Sequence, residues 1–182
     1  MDASAPRDTR VAVSVGRHYY QFYRGREDFF RAVIPFLRVG LASKEACLWI
    51  VSRSIGILQA VETFQREYDL TRFIETGQLL ILPAERWYLD RGRFSARKAL
   101  GRMEKFVAEK RRSGFTAFRG AGDLGWLEAE DWFEFQAYEE KIHEWIQNLQ
   151  IVAICAYPIQ SCSLTQTQDV MSRHHSVFLT KL

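Results

Sequence analysis

The stretch from His18 to Val51 most constrains what this chain can fold into, because it contains a complete strand, turn, helix and strand. Tyr and Phe dominate residues 19–23, which favours an extended strand. An Arg-Gly-Arg turn then breaks the run, and apolar residues at helical spacing follow it. Residues 46–51, ACLWIV, are apolar without interruption, a pattern typical of a parallel strand buried on both faces. The stretch therefore predicts an α/β fold.

The rest of the chain repeats this alternation and predicts a three-layer fold with a mainly parallel central sheet and helices on both faces. The composition, 47% hydrophobic and 26% charged, is that of an ordinary globular protein. We expect one domain over residues 10–182 after a flexible tail over residues 1–9. Further strands are predicted over residues 10–16, 78–82, 115–119, 150–157 and from 174 onward, and helices over 55–68, 95–112, 128–147 and 164–172.

The first strand–helix turn lacks the sequence of a phosphate-binding loop. GxxxxGK[ST] does not occur in the chain and GxGxxG does not occur at this turn, where Glu27 and Asp28 stand in the place that an anionic phosphate would have to occupy. ATP hydrolysis by the usual loop is therefore disfavoured. A degenerate nucleotide-binding module that holds its ligand through Arg24 or Arg26 stays open as an alternative.

Catalytic and metal motifs are also missing from the sequence. There is no G-x-S-x-G elbow and no H-E-x-x-H, so we expect no enzyme activity. Cys47, Cys155 and Cys162 form no C-x-x-C pair, and adjacent His174 and His175 do not match the spacing of a zinc helix. We therefore expect buried thiols, no metal site and no cofactor.

An ordered set of short motifs from about Val11 onward resembles the MEDS domain, the methanogen and methylotroph DcmR-type sensory domain. The motifs are His18-Tyr-Tyr-Gln-Phe-Tyr23, Glu27-Asp28, Pro35-Phe36, Gly40-Leu41, Glu45-Ala-Cys-Leu-Trp-Ile50, Gly77-Gln78-Leu79, Tyr88, Gly92-Arg93-Phe94, Phe118-Arg119, Gly122-Asp123 with Trp126, Tyr138-Glu139, Ile154-Cys155-Ala156-Tyr157 and His174-His175.

The resemblance implies a RecA- and KaiC-related core without a working phosphate loop. It also implies a non-catalytic, ligand-sensing role, in which the domain relays its state to a signalling partner such as a histidine kinase or a transcription regulator. The aromatic content of 14% further leads us to expect a small, largely apolar ligand.

The ligand is expected at the carboxyl edge of the sheet, where open α/β sheets bind their ligands. We predict that the glycine-rich segment 120–125 forms a flexible loop there, and that Arg119, Asp123 and Trp126 face one crevice. An internal Arg119–Asp123 ion pair is an equally weighted alternative. The predicted ligand-binding residues are His18, Phe22, Tyr23, Trp49, Arg119, Asp123, Trp126 and Tyr157.

The charge pattern argues against direct nucleic-acid binding. The net charge is only +3, and the basic helix predicted over residues 95–112 precedes an equally acidic one. Helices of opposite charge also leave open a homo-oligomer or a protein–protein assembly module. No apolar run is long enough to span a membrane, and no signal sequence is evident, so we expect a cytoplasmic protein without membrane attachment.

Overall fold

The computed structural model describes residues 16–149 and 151–178. The predicted tail over residues 1–9 and most of the predicted strand over residues 10–16 lie outside the described residues. The strands are β1 (Arg17–Tyr23), β2 (Ala46–Val51), β3 (Leu79–Pro83), β4 (Leu89–Asp90), β5 (Arg93–Phe94), β6 (Phe118–Asp123), β7 (Ile151–Pro158) and β8 (Ser176–Val177). The helices are α1 (Arg26–Ala42), α2 (Ile57–Gln65), α3 (Thr71–Glu75), α4 (Ala84–Tyr88), α5 (Ala96–Arg112), α6 (Trp132–Asn148) and α7 (Leu164–Arg173).

Six strands form one sheet in the order β3-β2-β6-β7-β1-β8, and every neighbouring pair is parallel. Strands β4 and β5 form a separate antiparallel ribbon. All six residues of β2 are buried, as its uninterrupted apolar sequence predicts. The predicted three-layer α/β class with a parallel sheet is confirmed.

Two hydrophobic cores cover the two faces of the sheet. One core contains α1 and α2, and the other contains α4, α5, α6 and the buried side of α7. Alternation along β1 sends Tyr19 and Tyr23 to the α1 side, and Tyr20 and Phe22 to the α6 side. Strands β1, β2, β3, β6 and β7 each contribute residues to both cores in this way.

The helix boundaries follow local capping chemistry. The Ser95 side chain accepts a hydrogen bond from Lys98 N at 3.4 Å and begins α5, as predicted. Ser163 and Gln166 form a reciprocal capping box that begins α7. Among the described residues, no helix has the length and apolar content needed to cross a bilayer.

The prediction that residues 120–125 form a flexible loop is wrong. Residues 120–123 lie in the central strand β6, with β2 on one side and β7 on the other. The glycine at position 122 makes room for a neighbouring ring, since a Cβ there would lie 2.6 Å from Tyr88 Oη. Close packing, rather than flexibility, accounts for this glycine.

Two large apolar side chains on predicted helices lie outside the core. Leu58 is 78% exposed and Phe133 is 85% exposed, although helical spacing predicts that both face inward. The helix α2 is shorter than predicted and buries only Ala60 and Phe64. Apolar spacing overestimated the width of the buried stripe on both helices.

Candidate functional site

Asp123, at the carboxyl end of β6, joins three strands. Its carboxylate accepts hydrogen bonds from Tyr23 Oη at 2.8 Å, Ser52 N at 2.9 Å and Gly125 N at 3.0 Å, and also from the Ser52 hydroxyl. Burial raises the pKa of Asp123, while these donors act in the opposite direction. The carboxylate is therefore engaged by the chain itself, at the sheet edge where a ligand was expected.

Arg119 lies at the opposite edge, so the predicted shared crevice with Asp123 is wrong, and so is the alternative ion pair. The strand β6 begins at Phe118 rather than ending at Arg119, which moves Arg119 to its amino end. Its Nε and Nη2 donate to the two Glu45 oxygens at 2.6 and 3.1 Å, and Nη1 donates to Phe36 O at 3.2 Å. This is a buried structural ion pair.

Trp49 lines none of the cavities described below. It is fully buried in the core on the α1 side, where its ring packs against Phe29, Phe30 and Phe64. Tyr23 belongs to the same core. These two predicted ligand residues are thus on the other face of the sheet from Phe22 and Tyr157.

Trp126 is part of an aromatic cluster on the α6 side. Its ring stacks on Tyr88 with centroids 4.6 Å apart and also packs against Phe94 and Phe135. The indole Nε1 is buried and has no hydrogen-bond partner among the described residues. The Tyr138 ring packs against Tyr88 and Phe135 in this cluster, which covers the carboxyl edge of the sheet.

Tyr157, Phe22 and His18 do share one face of the sheet. Phe22 pairs with Tyr157 in the β1–β7 register, and their rings are 6.1 Å apart. Alternation along β1 places His18 on this side too, facing α6 and Cys155. The structure therefore gathers these three predicted residues and separates them from Trp49 and Arg119.

Two small cavities lie beneath α7, and Trp132 and Tyr157 line both of them. The first, of about 10 Å³ of space for the centre of a water molecule, is also lined by Phe135, Gln136, Glu139, Asp169, Val170, Arg173 and His174. The second, of about 20 Å³ on the same measure, is also lined by Leu124, Leu127, Pro158, Ser161, Cys162 and Gln166. Each is about large enough for one water molecule.

Polar contacts fasten α7 over these cavities. Asp169 Oδ2 accepts hydrogen bonds from Trp132 Nε1 at 3.2 Å and from Gln136 Nε2 at 2.6 Å. Arg173 Nη2 lies 3.5 Å from Glu140 Oε1. Among the residues of α7, only Val170 is buried. The helix is therefore attached mainly through partly exposed polar groups.

Four side chains converge beside the first cavity, and we call them the inner cluster: His18, Glu139, Cys155 and His174. They come from β1, α6, β7 and the residue that ends α7, and one donor atom from each lies within 4.8 Å of the others. Their exposures range from 0% at His18 to 8% at Cys155. Sequence spacing did not reveal this convergence.

The electrostatics of the inner cluster are set by burial. Burial, followed by the neighbouring histidines, lowers the pKa of His18 well below its ordinary value, so the ring is neutral. Burial and the Glu139 carboxylate raise the pKa of the Cys155 thiol. The neutral His18 ring and the Cys155 thiol therefore bring no positive charge to the buried Glu139 carboxylate.

All four histidines of the chain lie in this region. The His18 ring is 4.1 Å from His174 and 5.9 Å from His143, and the His143 ring stacks on His175 at 4.4 Å. The His18 backbone N–H donates to His175 Nδ1 at 3.0 Å. His143 and His175 thus form an outer pair beside the inner cluster.

A larger groove, of about 370 Å³, lies between α5 and α6. It is lined by Met103, Glu104, Val107, Ala108, Arg111, Trp145, Asn148 and Leu149, and contains none of the predicted ligand residues.

Some basic side chains of the helix α5 form hydrogen bonds within the chain. Arg102 donates to Trp87 O at 2.7 Å, and Lys110 donates to Gly77 O.

The turn after β1 is occupied by its own side chains. Asp28 Oδ2 accepts a hydrogen bond from Arg24 N at 3.3 Å, at the amino end of α1. Arg26 Nε donates to Ser54 O at 2.9 Å. A carboxylate thus stands where a phosphate loop would hold an anion.

Fold and site together define the class of protein. It is a parallel α/β domain in which the turn after β1 carries no phosphate-loop motif, and its small polar and aromatic cavities lie under the peripheral helix α7. The chain belongs to the MEDS family, since the family model described as the methanogen/methylotroph DcmR sensory domain matches residues 17–175. A search of curated proteins found no match. The resemblance seen in the sequence is thereby confirmed, and a sensing role is consistent with the family.

Proposed function

We propose that this chain is a cytoplasmic, non-catalytic sensing module. A small, largely apolar ligand binds beneath α7, and movement of α7 relays the bound state to a signalling or transcriptional partner. Membership of a sensory family supports the role. The observation that carries the location is the pair of cavities that share Trp132 and Tyr157.

The two cavities are separate in this structure, and shifting one shared ring would join them. Trp132 is half-buried and its Nε1 donates to Asp169 on α7, so a ligand that displaces Trp132 also breaks a contact that holds α7. Aromatic rings and Val170 form most of the accessible wall and favour an apolar ligand. Polar groups also line the first cavity, namely those of Gln136, Glu139, Tyr157, Asp169, Arg173 and His174. Binding and movement of α7 are coupled through this hydrogen bond.

Ligand size sets an upper limit on affinity. A ligand of about four non-hydrogen atoms gains at most about 6 kcal/mol, at the ceiling of about 1.5 kcal/mol per atom for very small ligands. This corresponds to a dissociation constant of about 40 μM at best. Screening therefore has to use millimolar ligand.

Ligand-observed NMR with the full chain tests the proposal, using short alcohols, amines, halogenated alkanes and small aromatic compounds. Cys162 lines the second cavity, so Cys162→Phe fills it, whereas Met171→Phe changes the 53%-exposed outer side of α7. We expect binding to weaken about 10-fold or more in Cys162→Phe and to persist in Met171→Phe. Hydrogen exchange of α7 should change on binding.

The proposal fails if no compound binds the folded chain, or if Cys162→Phe binds as tightly as the unmodified protein. ATP belongs in the same screen, because the degenerate nucleotide-binding alternative predicts affinity that falls when Arg24 or Arg26 is replaced. The contact between Arg24 N and Asp28 argues against that outcome. Salt-dependent self-association without ligand binding would instead support an assembly module.

A further inference from the structure

We propose that the inner cluster binds one divalent transition-metal ion, best matched by zinc, through His18 Nε2, Glu139 Oε2, Cys155 Sγ and His174 Nε2. The inference goes beyond the proposed function and does not depend on it. It also departs from the expectation of no metal, which rested on local sequence spacing.

Three of the six separations between the donor atoms are close to the edges of a tetrahedron around zinc. Bonds of about 2.0 Å to nitrogen or oxygen and 2.3 Å to sulfur give tetrahedral edges of about 3.3–3.5 Å. His18 Nε2 is 3.1 Å from Cys155 Sγ and 3.6 Å from Glu139 Oε2. His174 Nε2 is 3.2 Å from the same Glu139 oxygen. The other three pairs lie within 4.8 Å of each other, so the side chains have to move closer together to place all four atoms around one ion.

Two hydrogen-bond acceptors, His174 Nε2 and Glu139 Oε2, face each other in the inner cluster. His174 Nδ1 lies 2.8 Å from Val170 O, which requires a proton on Nδ1. In a neutral ring, Nε2 then carries a lone pair, and it points at Glu139 Oε2, 3.2 Å away. Both atoms are buried without a hydrogen-bond partner among the described residues. A cation between them satisfies both at once.

The charge of the donor set matches a divalent ion. A Glu139 carboxylate and a Cys155 thiolate neutralise the two positive charges, and the two imidazoles are neutral ligands. The complete site therefore carries no net charge, which a fully buried position requires. Binding displaces the thiol proton of Cys155 to solvent, so the zinc–sulfur bond forms as the S–H bond breaks heterolytically.

Donor chemistry selects the class of metal. A thiolate with two imidazoles suits zinc and other late transition metals and is a poor set for magnesium or calcium, which prefer oxygen ligands. Four protein ligands leave no open position, as in structural zinc sites. The Val170 carbonyl accepts a hydrogen bond from His174 Nδ1 and orients the ring, as carbonyls often do for metal-binding histidines.

The ion would connect β1, α6, β7 and the end of α7. Because α7 buries only Val170 among its own residues, the bond to His174 would be its strongest attachment. Metal removal should therefore increase hydrogen exchange in α7 more than in the central strands.

Metal analysis of the full chain, purified without chelators or a histidine tag, tests the proposal. We expect about one zinc per chain by plasma mass spectrometry. Replacement by cobalt(II) should give a thiolate-to-cobalt charge-transfer band with visible bands of tetrahedral coordination. The cobalt spectrum reports the thiolate directly and needs no variant to fold.

Variants identify the ligands. Cys155→Ser and His174→Gln should lower zinc affinity by roughly 100-fold or more, and Cys155→Ser should abolish the charge-transfer band. The matched controls Cys162→Ser and His175→Asn should bind as the unmodified protein does. The proposal is overturned if the folded chain takes up neither zinc nor cobalt, or if both ligand variants bind as tightly as the controls. The small-molecule screen tests the proposed function separately, and it is run on both the zinc-loaded and the zinc-free chain because Glu139 and His174 also line the first cavity.

Discussion

Replacing Glu45 by Gln tests how strongly the buried ion pair at the amino edge of the sheet stabilises the fold. Arg119 is 3% exposed, and its guanidinium makes two hydrogen bonds to the Glu45 carboxylate, at 2.6 and 3.1 Å. The guanidinium also lies 4.6 Å from the centre of the Phe36 ring. The substitution keeps the size of the side chain and removes its charge, which leaves the buried cation of Arg119 uncompensated.

The expected loss in the free energy of unfolding is about 3 kcal/mol, the lower end of the range for breaking a buried pair, because Gln retains one acceptor oxygen. With a urea dependence of about 2 kcal/mol per molar, the midpoint falls by about 1.5 M. Arg119→Met should cost about 2 kcal/mol, since the side chain of Glu45 is 11% exposed and reaches water. The double variant should lose little more than Arg119→Met alone.

Urea unfolding followed by circular dichroism measures these differences. The exposed pair Lys141–Glu144, with side chains 59% and 60% accessible, provides the control. Glu144→Gln should change stability by less than about 0.5 kcal/mol. Equal losses for Glu45→Gln and Glu144→Gln, or strictly additive losses in the double variant, would refute the reasoning.

Three further perturbations have defined outcomes. Gly40→Ala places a Cβ 2.6 Å from the Arg119 side chain and should lower the free energy of unfolding in urea by about 2 kcal/mol. Gly101→Ala has open space around it and should stabilise α5 by up to about 1 kcal/mol. Equal effects of the two substitutions would contradict the close packing around Gly40. Asp123→Asn turns amide hydrogens toward the Ser52 and Gly125 N–H donors and should lower the free energy of unfolding by about 2–4 kcal/mol. An unchanged midpoint of urea unfolding would reject this prediction. Thiol alkylation at pH 8 with peptide mass spectrometry should modify half-buried Cys162 first and Cys47 only after unfolding, because burial raises the pKa of the Cys47 thiol; similar rates would contradict this order.

Local sequence patterns predicted the sheet well because burial leaves a direct signature in composition. An uninterrupted apolar run such as ACLWIV has few stable locations other than the centre of a parallel sheet. The helix start at Ser95 followed from capping chemistry that involves only neighbouring residues. Both features depend on short-range physics that the sequence displays.

The candidate site was harder to predict, since a small boundary error at β6 has a large spatial effect. Ending that strand at Arg119 rather than beginning it at Phe118 transfers Arg119 from one edge of the sheet to the other. The error arose because the glycines at positions 120 and 122 are typical of a loop when only the sequence is considered. The role of Gly122 in accommodating Tyr88 depends on tertiary packing, which a single sequence does not display.

The inner cluster was missed because its members are far apart in the chain. One signal was present: alternation puts His18 and Phe22 on the same side of β1, and Cys155 and Tyr157 on the same side of β7. Pairing β1 with β7 would have placed His18 near Cys155. The order of strands in the sheet decides this, and local periodicity does not specify it.

The position of β1 between β7 and β8 has a consequence for synthesis on the ribosome. Both hydrogen-bonding partners of β1 are the last of the sheet strands to be translated, so β1 emerges long before either edge can be covered. Nascent chains must therefore keep the aromatic strand RHYYQFY unpaired until residues 151–158 have been translated. Such long-range closure slows folding and exposes a strand edge to other chains, which makes this segment the expected point of chaperone capture during biogenesis.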